Sequence, residues 1–113
     1  MQIYKAPIND IKFILNDFLD LQNNKEILIN SEFEVSDLEM VVDEAAKLCE
    51  ETLLPINQSG DLEGCNFENG KVTSPKGFKE AYKIFGENGW QGIKVSKKYG
   101  GQNLPYFMNM ILD

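Results

Sequence analysis

The sequence predicts a mostly α-helical fold, a small bundle of three to four helices that also carries one short Asn-Gly hairpin. Two observations support this prediction. Apolar residues recur at helical spacing in three segments, each preceded by a residue that can cap a helix, and an Asn-Gly pair separates two short runs of extended character. With 113 residues, of which 42% are apolar, the chain is long enough to build one unit with a core of its own.

The first predicted helix spans about residues 9–21, with Asn9 as its N-cap. Its apolar side chains recur at helical spacing: Ile11, Ile14, Leu15 and Phe18. The pair Asn23-Asn24 is expected to end the helix. Residues 25–35 are mixed in character, and we expect a loop or a short helical turn there.

The second predicted helix begins with the strongest local signal of the chain. Residues 36–39, with the sequence SDLE, match a capping box in which Ser36 accepts from the amide of Glu39 and the Glu39 carboxylate reaches back. Val35 and Met40 fit the hydrophobic staple that accompanies such a box. We therefore expect the helix to start at Ser36.

An apolar and a charged face follow along this second helix. The apolar face contains Leu38, Val41, Val42, Ala45, Leu48, Cys49, Thr52 and Leu53. The charged face contains Asp43, Glu44, Lys47, Glu50 and Glu51. Asp43 and Lys47 are spaced for a favourable i,i+4 ion pair. Pro55 is expected to close the helix, because proline lacks an amide donor and restrains the residue before it.

The connection over residues 55–74 is polar and contains glycine. Within it, residues 67–72 are expected to form a tiny hairpin, because Asn69-Gly70 readily supplies the two positive φ angles of a type I′ turn. The hairpin is the one β element that the sequence predicts.

A third helix is expected to start at Ser74-Pro75, with serine as the cap and proline in the first turn. Its expected buried stripe consists of Phe78, Ala81, Tyr82 and Phe85. Gly89 ends it as the residue just after the helix. A second irregular stretch covers residues 90–105, and a fourth helix begins near Pro105.

Charge and composition exclude several classes of function. The formal net charge is −7, from 18 acidic and 11 basic residues. This balance argues against nucleic acid or an anionic membrane as partner, since both bind clustered positive charge. All the basic residues are lysines, so the chain has no guanidinium clamp for phosphate and no imidazole. A serine–histidine–carboxylate triad and the common zinc sites are thereby excluded.

The cysteines and the hydropathy pattern indicate a reducing, cytoplasmic setting. Cys49 falls on an apolar helix face and is interpreted as a small core residue. The sequence leaves open whether it forms a disulfide with Cys65. The first residues show no basic region followed by a long apolar run, so we expect no signal peptide. No stretch approaches about 18 consecutive apolar residues, so we expect no membrane span.

Three motifs have both a functional and a structural interpretation. Gly100-Gly101 resembles a phosphate-cradling loop only loosely, and a tight turn between two close backbones is favoured. The pairs Asp43-Glu44 and Glu50-Glu51 offer carboxylates for a metal or for acid–base work, but a solvated helix face is favoured. Three aromatic residues could line a cavity, namely Trp90, Tyr99 and Tyr106. A role in packing the long loop is favoured for them.

Longer blocks of sequence carry a resemblance to a known family. Residues 86–93, GENGWQGI, and 99–105, YGGQNLP, resemble the stretch of acyl-CoA dehydrogenases in which a helix leads into a "GW-x-G … YGG-x-G-LP" loop. Asn103 stands where that family usually has glycine, and asparagine tolerates the left-handed conformation better than most residues.

Further blocks are similar to one branch of that family. Residues 54–65, LPINQSGDLEGC, and 73–82, TSPKGFKEAY, resemble the "LAP-x-N-x-x-GD-x-EGC … TP-x-GFK-x-AY" pattern of long bacterial acyl-CoA dehydrogenases with an extra N-terminal segment. That branch includes enzymes acting on 3-methylmercaptopropionyl-CoA. Residues 4–7, YKAP, followed by Asp10 and Phe13, are similar to its opening.

The resemblance implies a division of the chain and a fold. Residues 1–35 correspond to the N-terminal extension, with one helix, and residues 36–113 to part of the N-terminal helical domain, in one compact unit overall. The family adds a middle β-domain and a C-terminal helical bundle, with FAD between them. A glutamate beyond the first domain removes the C2 proton of an acyl-CoA thioester, and hydride from C3 passes to the flavin.

Two hypotheses of different class follow. The first is a truncated or partial flavin-dependent acyl-CoA dehydrogenase, not catalytic alone, that associates with itself or with the remaining domains. We assign no catalytic, cofactor-binding or metal-binding residue to it, and expect no cofactor in the chain itself. The alternative is a free-standing helical module that binds a protein partner or an acyl chain. Whether the reading frame continues past Asp113 into a β-domain would discriminate between them.

Overall fold

The computed structural model describes residues 3–28 and 32–113, and they form helices with one short hairpin, as predicted. The α-helices are α1 (Ile8–Phe13), α2 (Val35–Lys47), α3 (Leu54–Glu63), α4 (Phe78–Glu87) and α5 (Tyr106–Leu112). Two wider π-helical stretches extend them, Ile14–Phe18 after α1 and Leu48–Leu53 between α2 and α3. Single 3₁₀ turns lie at Lys25–Leu28, Trp90–Gly92 and Lys97–Tyr99. The strands are β1 (Asn66–Glu68) and β2 (Lys71–Thr73).

The chain from α2 to α3 is helical throughout, so the predicted end at Pro55 is wrong. The π-helical stretch Leu48–Leu53 joins the two helices, and Pro55 lies in the first turn of α3. Proline, which has no amide to donate, follows directly on the widened π-helical stretch. The helix ends instead at Gly64, whose φ is +67°. Half of the expected polar connection is therefore helix.

The start of α2 also differs from the capping box predicted at Ser36. The helix begins at Val35, and the carboxylate of Asp37 accepts from the backbone amide of Glu34 at 2.8 Å. A start at Val35 places this side chain in the core, where it is buried, and leaves Ser36 inside the first turn. Met40 is largely exposed, so the predicted staple does not form.

The starts of two other helices are shifted for similar reasons. Pro7 takes the N-cap position of α1, and Asn9 lies inside the helix rather than capping it. Helix α4 begins at Phe78 after Gly77, whose φ of +87° turns the chain into the helix, so Ser74 is not the cap. In both cases backbone geometry, supplied by proline or glycine, replaces the side-chain cap that was expected.

The structure confirms the predicted hairpin, the predicted end of the third helix at Gly89 and the predicted start of the fourth helix near Pro105. Asn69 and Gly70 have φ angles of +50° and +76°, as a type I′ turn requires, and Phe67 pairs with Val72. Gly89, with φ of +75°, follows the C-cap residue Asn88 of α4, and α5 starts after Pro105.

One end of the molecule holds the core. Leu15, Leu21, Leu38 and Met108 are fully buried there and bring together the first helix, α2 and α5. The remaining members of the cluster are Leu28, Val35, Val42, Ile93 and Leu104. The core therefore combines residues from before and after the predicted boundary at residue 35.

The irregular stretch 90–105 closes over this core and is held by backbone hydrogen bonds between its own two halves. The amides of Gln102 and Asn103 donate to the carbonyls of Gly92 and Val95, each at 2.9 Å. A Cβ on Gly101 would lie 2.0 Å from the Val95 carbonyl oxygen. The prediction of a tight turn with two close backbones is confirmed, and Asn103 adopts the left-handed conformation with φ of +56°.

The molecule is flat, and part of its apolar surface stays uncovered. Its principal extents are 57 × 36 × 16 Å. Away from the core, several large apolar side chains stay exposed, among them Phe67 and Tyr82.

Candidate functional site: an apolar groove

An apolar depression runs between the α2–α3 junction and α4. We call it the apolar groove, and it encloses about 680 Å³. The π-helical stretch Leu48–Leu53 and the first turn of α3 form one side, and α4 forms the other. Widened π turns are often found at functional sites, because they displace side chains from the regular helical positions. The lining side chains are Ile3, Tyr4, Cys49, Leu53, Leu54, Ile56, Asn57, Phe78, Ala81, Tyr82 and Phe85.

The apolar stripe of α4 faces this groove instead of a core. Of the predicted buried residues only Ala81 is buried, whereas the Tyr82 side chain is 78% exposed and Phe78 is also exposed. The predicted stripe is therefore only partly buried: Phe85 is half-buried, and Phe78 and Tyr82 stay exposed along the open side of the groove. Phe78 packs on Gly60 of α3, where an added Cβ would lie 2.2 Å from the ring. A small residue at position 60 thus sets how closely α4 approaches α3.

Cys49 lies on the wall of the groove. It is half-buried rather than part of the core, which corrects the sequence interpretation. Burial raises the pKa of its thiol, and the neighbouring Glu50 carboxylate raises it further. The thiol is therefore mostly protonated and poorly nucleophilic near neutral pH. Cys65 is exposed, and both cysteines are free.

A segment from the start of the chain forms the rim of the groove. We call residues 3–7 the N-terminal strap. The Lys5 ammonium donates to one oxygen of Glu50 at 2.7 Å, and the backbone amide of Ala6 donates to the other oxygen at 2.9 Å. The hydrogen bond from Lys5, followed by that from Ala6, holds the pKa of the Glu50 carboxyl below its usual range. Ile3 and Tyr4 thereby reach the groove.

Asp43 and Glu44 of α2 form ion pairs, in agreement with a structural role for this face, but with other partners than predicted. Asp43 pairs with Lys12 of α1 at 2.9 Å, so the predicted pair with Lys47 is wrong. Lys47 pairs with Glu44, and that hydrogen bond raises the pKa of the Lys47 ammonium. Sequence spacing could not reveal Lys12, because α1 reaches α2 only through tertiary packing.

The three aromatic residues considered for a cavity do not form one. Trp90 is partly buried against the core, in agreement with the packing interpretation. Tyr99 and Tyr106 are exposed, with the ammonium groups of Lys98 and Lys94 at 5.5 and 4.8 Å from their ring centroids. Only Trp90 therefore packs the long loop.

The described residues contain neither a metal-binding cluster nor a helix that could span a membrane. Within residues 3–28 and 32–113, no group of three or more cysteine, aspartate or glutamate side chains could hold a metal ion. In the same ranges, no helix has the length and apolar character needed to cross a membrane.

The chemistry of the groove does not fit a flavin dinucleotide. The pyrophosphate of such a cofactor needs cationic side chains or a cluster of free amide donors. No positively charged side chain is among the residues that line the groove, and its polar side chains are those of Tyr4, Cys49, Asn57 and Tyr82. The lining is suited to apolar surface instead, either of a ligand or of another protein domain.

Comparison with known proteins identifies the family. A family model described as "Acyl-CoA dehydrogenase, N-terminal domain" matches residues 36–112. The chain therefore belongs to the acyl-CoA dehydrogenase family, as the sequence resemblance indicated, and the matched residues represent its N-terminal helical domain.

A curated relative supports this assignment. The 3-methylmercaptopropionyl-CoA dehydrogenase of Ruegeria pomeroyi (strain ATCC 700808 / DSM 15171 / DSS-3) is 34% identical over 102 residues, which are 90% of this chain and 17% of that relative. The chain thus spans 17% of the length of the relative. A match over 90% of this chain reaches into the residues before Ser36, where the family model begins.

Proposed function

We propose that this chain is the N-terminal helical part of a flavin-dependent acyl-CoA dehydrogenase, and that it supplies one wall of the acyl-binding site and a docking face for the other domains. The observation that carries the proposal is the match of residues 36–112 to the N-terminal domain of that family. The apolar groove supports it, because an apolar face of this size is uncommon on a domain that has no packing partner.

In this proposal the chain contributes packing and exclusion of water, and the reacting groups come from elsewhere. FAD, on which the family depends, supplies the acceptor for a hydride from C3 of the thioester. A glutamate outside residues 1–113 removes the C2 proton. We assign no catalytic, flavin-binding or metal-binding residue to this chain. An apolar wall strengthens the electrostatic interactions of the reacting groups by keeping water out.

The division of the chain is part of the proposal. We take residues 1–35 as an N-terminal extension with one helix and residues 36–113 as part of the family domain. Leu15 and Leu21 of the extension are fully buried against α2, so the extension completes the core of the domain. A cytoplasmic setting is retained in the proposal, in keeping with the two free thiols.

The decisive experiment concerns the whole gene product that contains this chain. We expect its reading frame to encode a β-domain after Asp113. We also expect the purified product to reduce an artificial electron acceptor only when an acyl-CoA is present. 3-Methylmercaptopropionyl-CoA and butyryl-CoA are suitable first substrates, because the first is in the name of the relative and the second is a plain thioester. A product that reduces the acceptor with neither thioester would contradict the proposal.

The chain on its own provides a second test. We expect no flavin absorbance in the purified chain, since the groove does not fit a dinucleotide. We also expect self-association through the C-terminal third, where Tyr106 and Met110 are exposed. Analytical ultracentrifugation of the chain, and of a version shortened at Leu104, would measure it. A strict monomer at every concentration would instead favour a free-standing helical module, which the comparisons do not support.

A further inference from the structure

The N-terminal strap, residues 3–7, lies at the rim of the apolar groove without being packed into it. The strap has no helical or strand structure, and Ile3 is 89% exposed although it belongs to the groove lining. Tyr4 next to it is partly exposed. Two large side chains are thus held at the edge of an apolar surface that they only begin to cover.

The Glu50 carboxylate ties the strap to the wall of the groove, and the carbonyls of Ala6 and Pro7 accept from amides of α1. Both oxygens of Glu50 are used, one by the Lys5 ammonium at 2.7 Å and one by the Ala6 amide at 2.9 Å. The Lys5 side chain is 81% exposed, so water competes for its half of the contact. The next anchor along the chain is α1, which begins at Ile8. The strap can therefore detach while α1 stays packed.

We propose that the strap is a movable wall of the groove and that Glu50 is its latch. In the latched state Ile3 and Tyr4 lie at the edge of the groove that Cys49 also lines, and they cover part of it. Release of Lys5 and Ala6 from Glu50 uncovers the groove. The strap precedes the residues matched by the family model, which start at Ser36, so this device is an addition to the domain.

The thiol of Cys49 offers a direct measurement, because it lies in the groove close to the strap. In a chain carrying Cys65→Ser, the rate of Cys49 alkylation by iodoacetamide reports access to the groove. We expect Glu50→Gln and Lys5→Ala each to raise this rate about three- to tenfold, the range for loss of one or two hydrogen bonds. Glu51→Gln removes a neighbouring charge without touching the strap, and we expect an unchanged rate.

The two latch variants distinguish a change in the access of reagent to Cys49 from a change in the pKa of its thiol. Loss of the Glu50 charge lowers the pKa of Cys49 and would speed alkylation even with the strap in place. Loss of the positive charge of Lys5 acts in the opposite direction. Acceleration in both variants therefore reports movement of the strap. Acceleration in Glu50→Gln with slowing in Lys5→Ala, or equal acceleration in Glu51→Gln, would show a charge effect and overturn the proposal.

Hydrogen exchange gives a second readout that does not depend on the thiol. The Ala6 amide should exchange about three- to tenfold faster in Glu50→Ala, which removes its acceptor, than in the unchanged chain, and Glu51→Gln should leave it unaltered. Circular dichroism would verify that each variant keeps its helices. Equal protection of the Ala6 amide in all chains would mean that Glu50 does not hold the strap. These measurements need neither flavin nor acyl-CoA, so their failure would leave the proposed function untouched.

Discussion

The two ends of this molecule use similar side chains in opposite ways. At the core end, Leu38 and Met108 are fully buried because α1, α2 and α5 meet and the 90–105 stretch closes over them. At the groove end, α4 lays Phe78 and Tyr82 along an open surface. Both ends carry an amphipathic helix with a clear apolar stripe. The difference teaches that periodicity identifies an apolar face, whereas tertiary layers decide whether that face is buried.

The largest expected effect comes from truncating a side chain at the core end. Leu38→Ala should lower the free energy of unfolding by about 2–5 kcal/mol, because it removes buried methyl groups and leaves a cavity. Tyr82→Ala, at the groove end, should change it by less than about 0.5 kcal/mol although more atoms are lost. Urea denaturation followed by circular dichroism would measure both. Similar losses in the two variants would mean that the groove is covered in solution.

A second effect concerns the turn that closes the core end. Gly101→Ala would place a Cβ 2.0 Å from the Val95 carbonyl oxygen, so the backbone of the 90–105 stretch must shift. We expect a loss of about 1–3 kcal/mol, typical of forced overpacking.

Gly86→Ala in α4 is the matched control for this substitution. The nearest atom outside its own helix would be the Gln91 amide nitrogen at 3.8 Å, an ordinary contact. Because alanine favours helix over glycine by about 0.8–1.0 kcal/mol, the control should be neutral or stabilising. If both substitutions lower the melting temperature equally, the turn is looser than the structure indicates.

A smaller effect tests the start of α2, where sequence and structure differ. Asp37→Ala should cost about 0.5–2 kcal/mol by leaving the Glu34 amide without its acceptor. Ser36→Ala should cost less, because Ser36 lies within the first turn and does not cap the helix. Thermal melts of the two variants would rank them. The reverse order would place the N-cap at Ser36, as the sequence suggested.

Much of the fold could be predicted from local signals. The Asn69-Gly70 turn, the helix end at Gly89 and the Gly100-Gly101 turn were all predicted correctly, because each depends on the backbone freedom of one or two residues. The family was also identified from short blocks of sequence. Helix starts were less predictable. At Pro7 and Gly77 the backbone itself sets the start, whereas a polar side chain was expected to do so.

The candidate site could be predicted only in part. The apolar residues of α4 were identified, but their exposure depends on which layers are present, and the sequence does not encode that locally. Glu50 was placed on a solvated face because its partners, Lys5 and Ala6, lie more than forty positions earlier. No periodic signal connects residues at that distance. The continuity of α2 and α3 past Pro55 was missed because a π-helical stretch leaves no clear mark in the sequence.

The smallest expected effect is a pH dependence at the groove end. The hydrogen bonds from Lys5 and Ala6 hold the pKa of Glu50 below its ordinary value of 4.5 in the folded chain. A carboxyl group with a lowered folded pKa stabilises the fold fully above its unfolded pKa. This contribution is lost as the pH falls through the folded pKa. Acid should therefore release the strap, while the core end, which buries no charged or polar side chain among the described residues, stays intact.

The comparison of the unchanged chain with Glu50→Gln isolates this contribution. We expect a small difference in melting temperature at about pH 7, where the carboxylate is charged, and its progressive loss as the pH falls through the lowered pKa of Glu50. Glu51→Gln controls for the loss of one negative charge. The difference should shrink in high salt, because the ammonium of Lys5 is exposed to solvent. A difference that persists undiminished in acid would mean that Glu50 acts through packing, and the strap would then have no acid-sensitive latch.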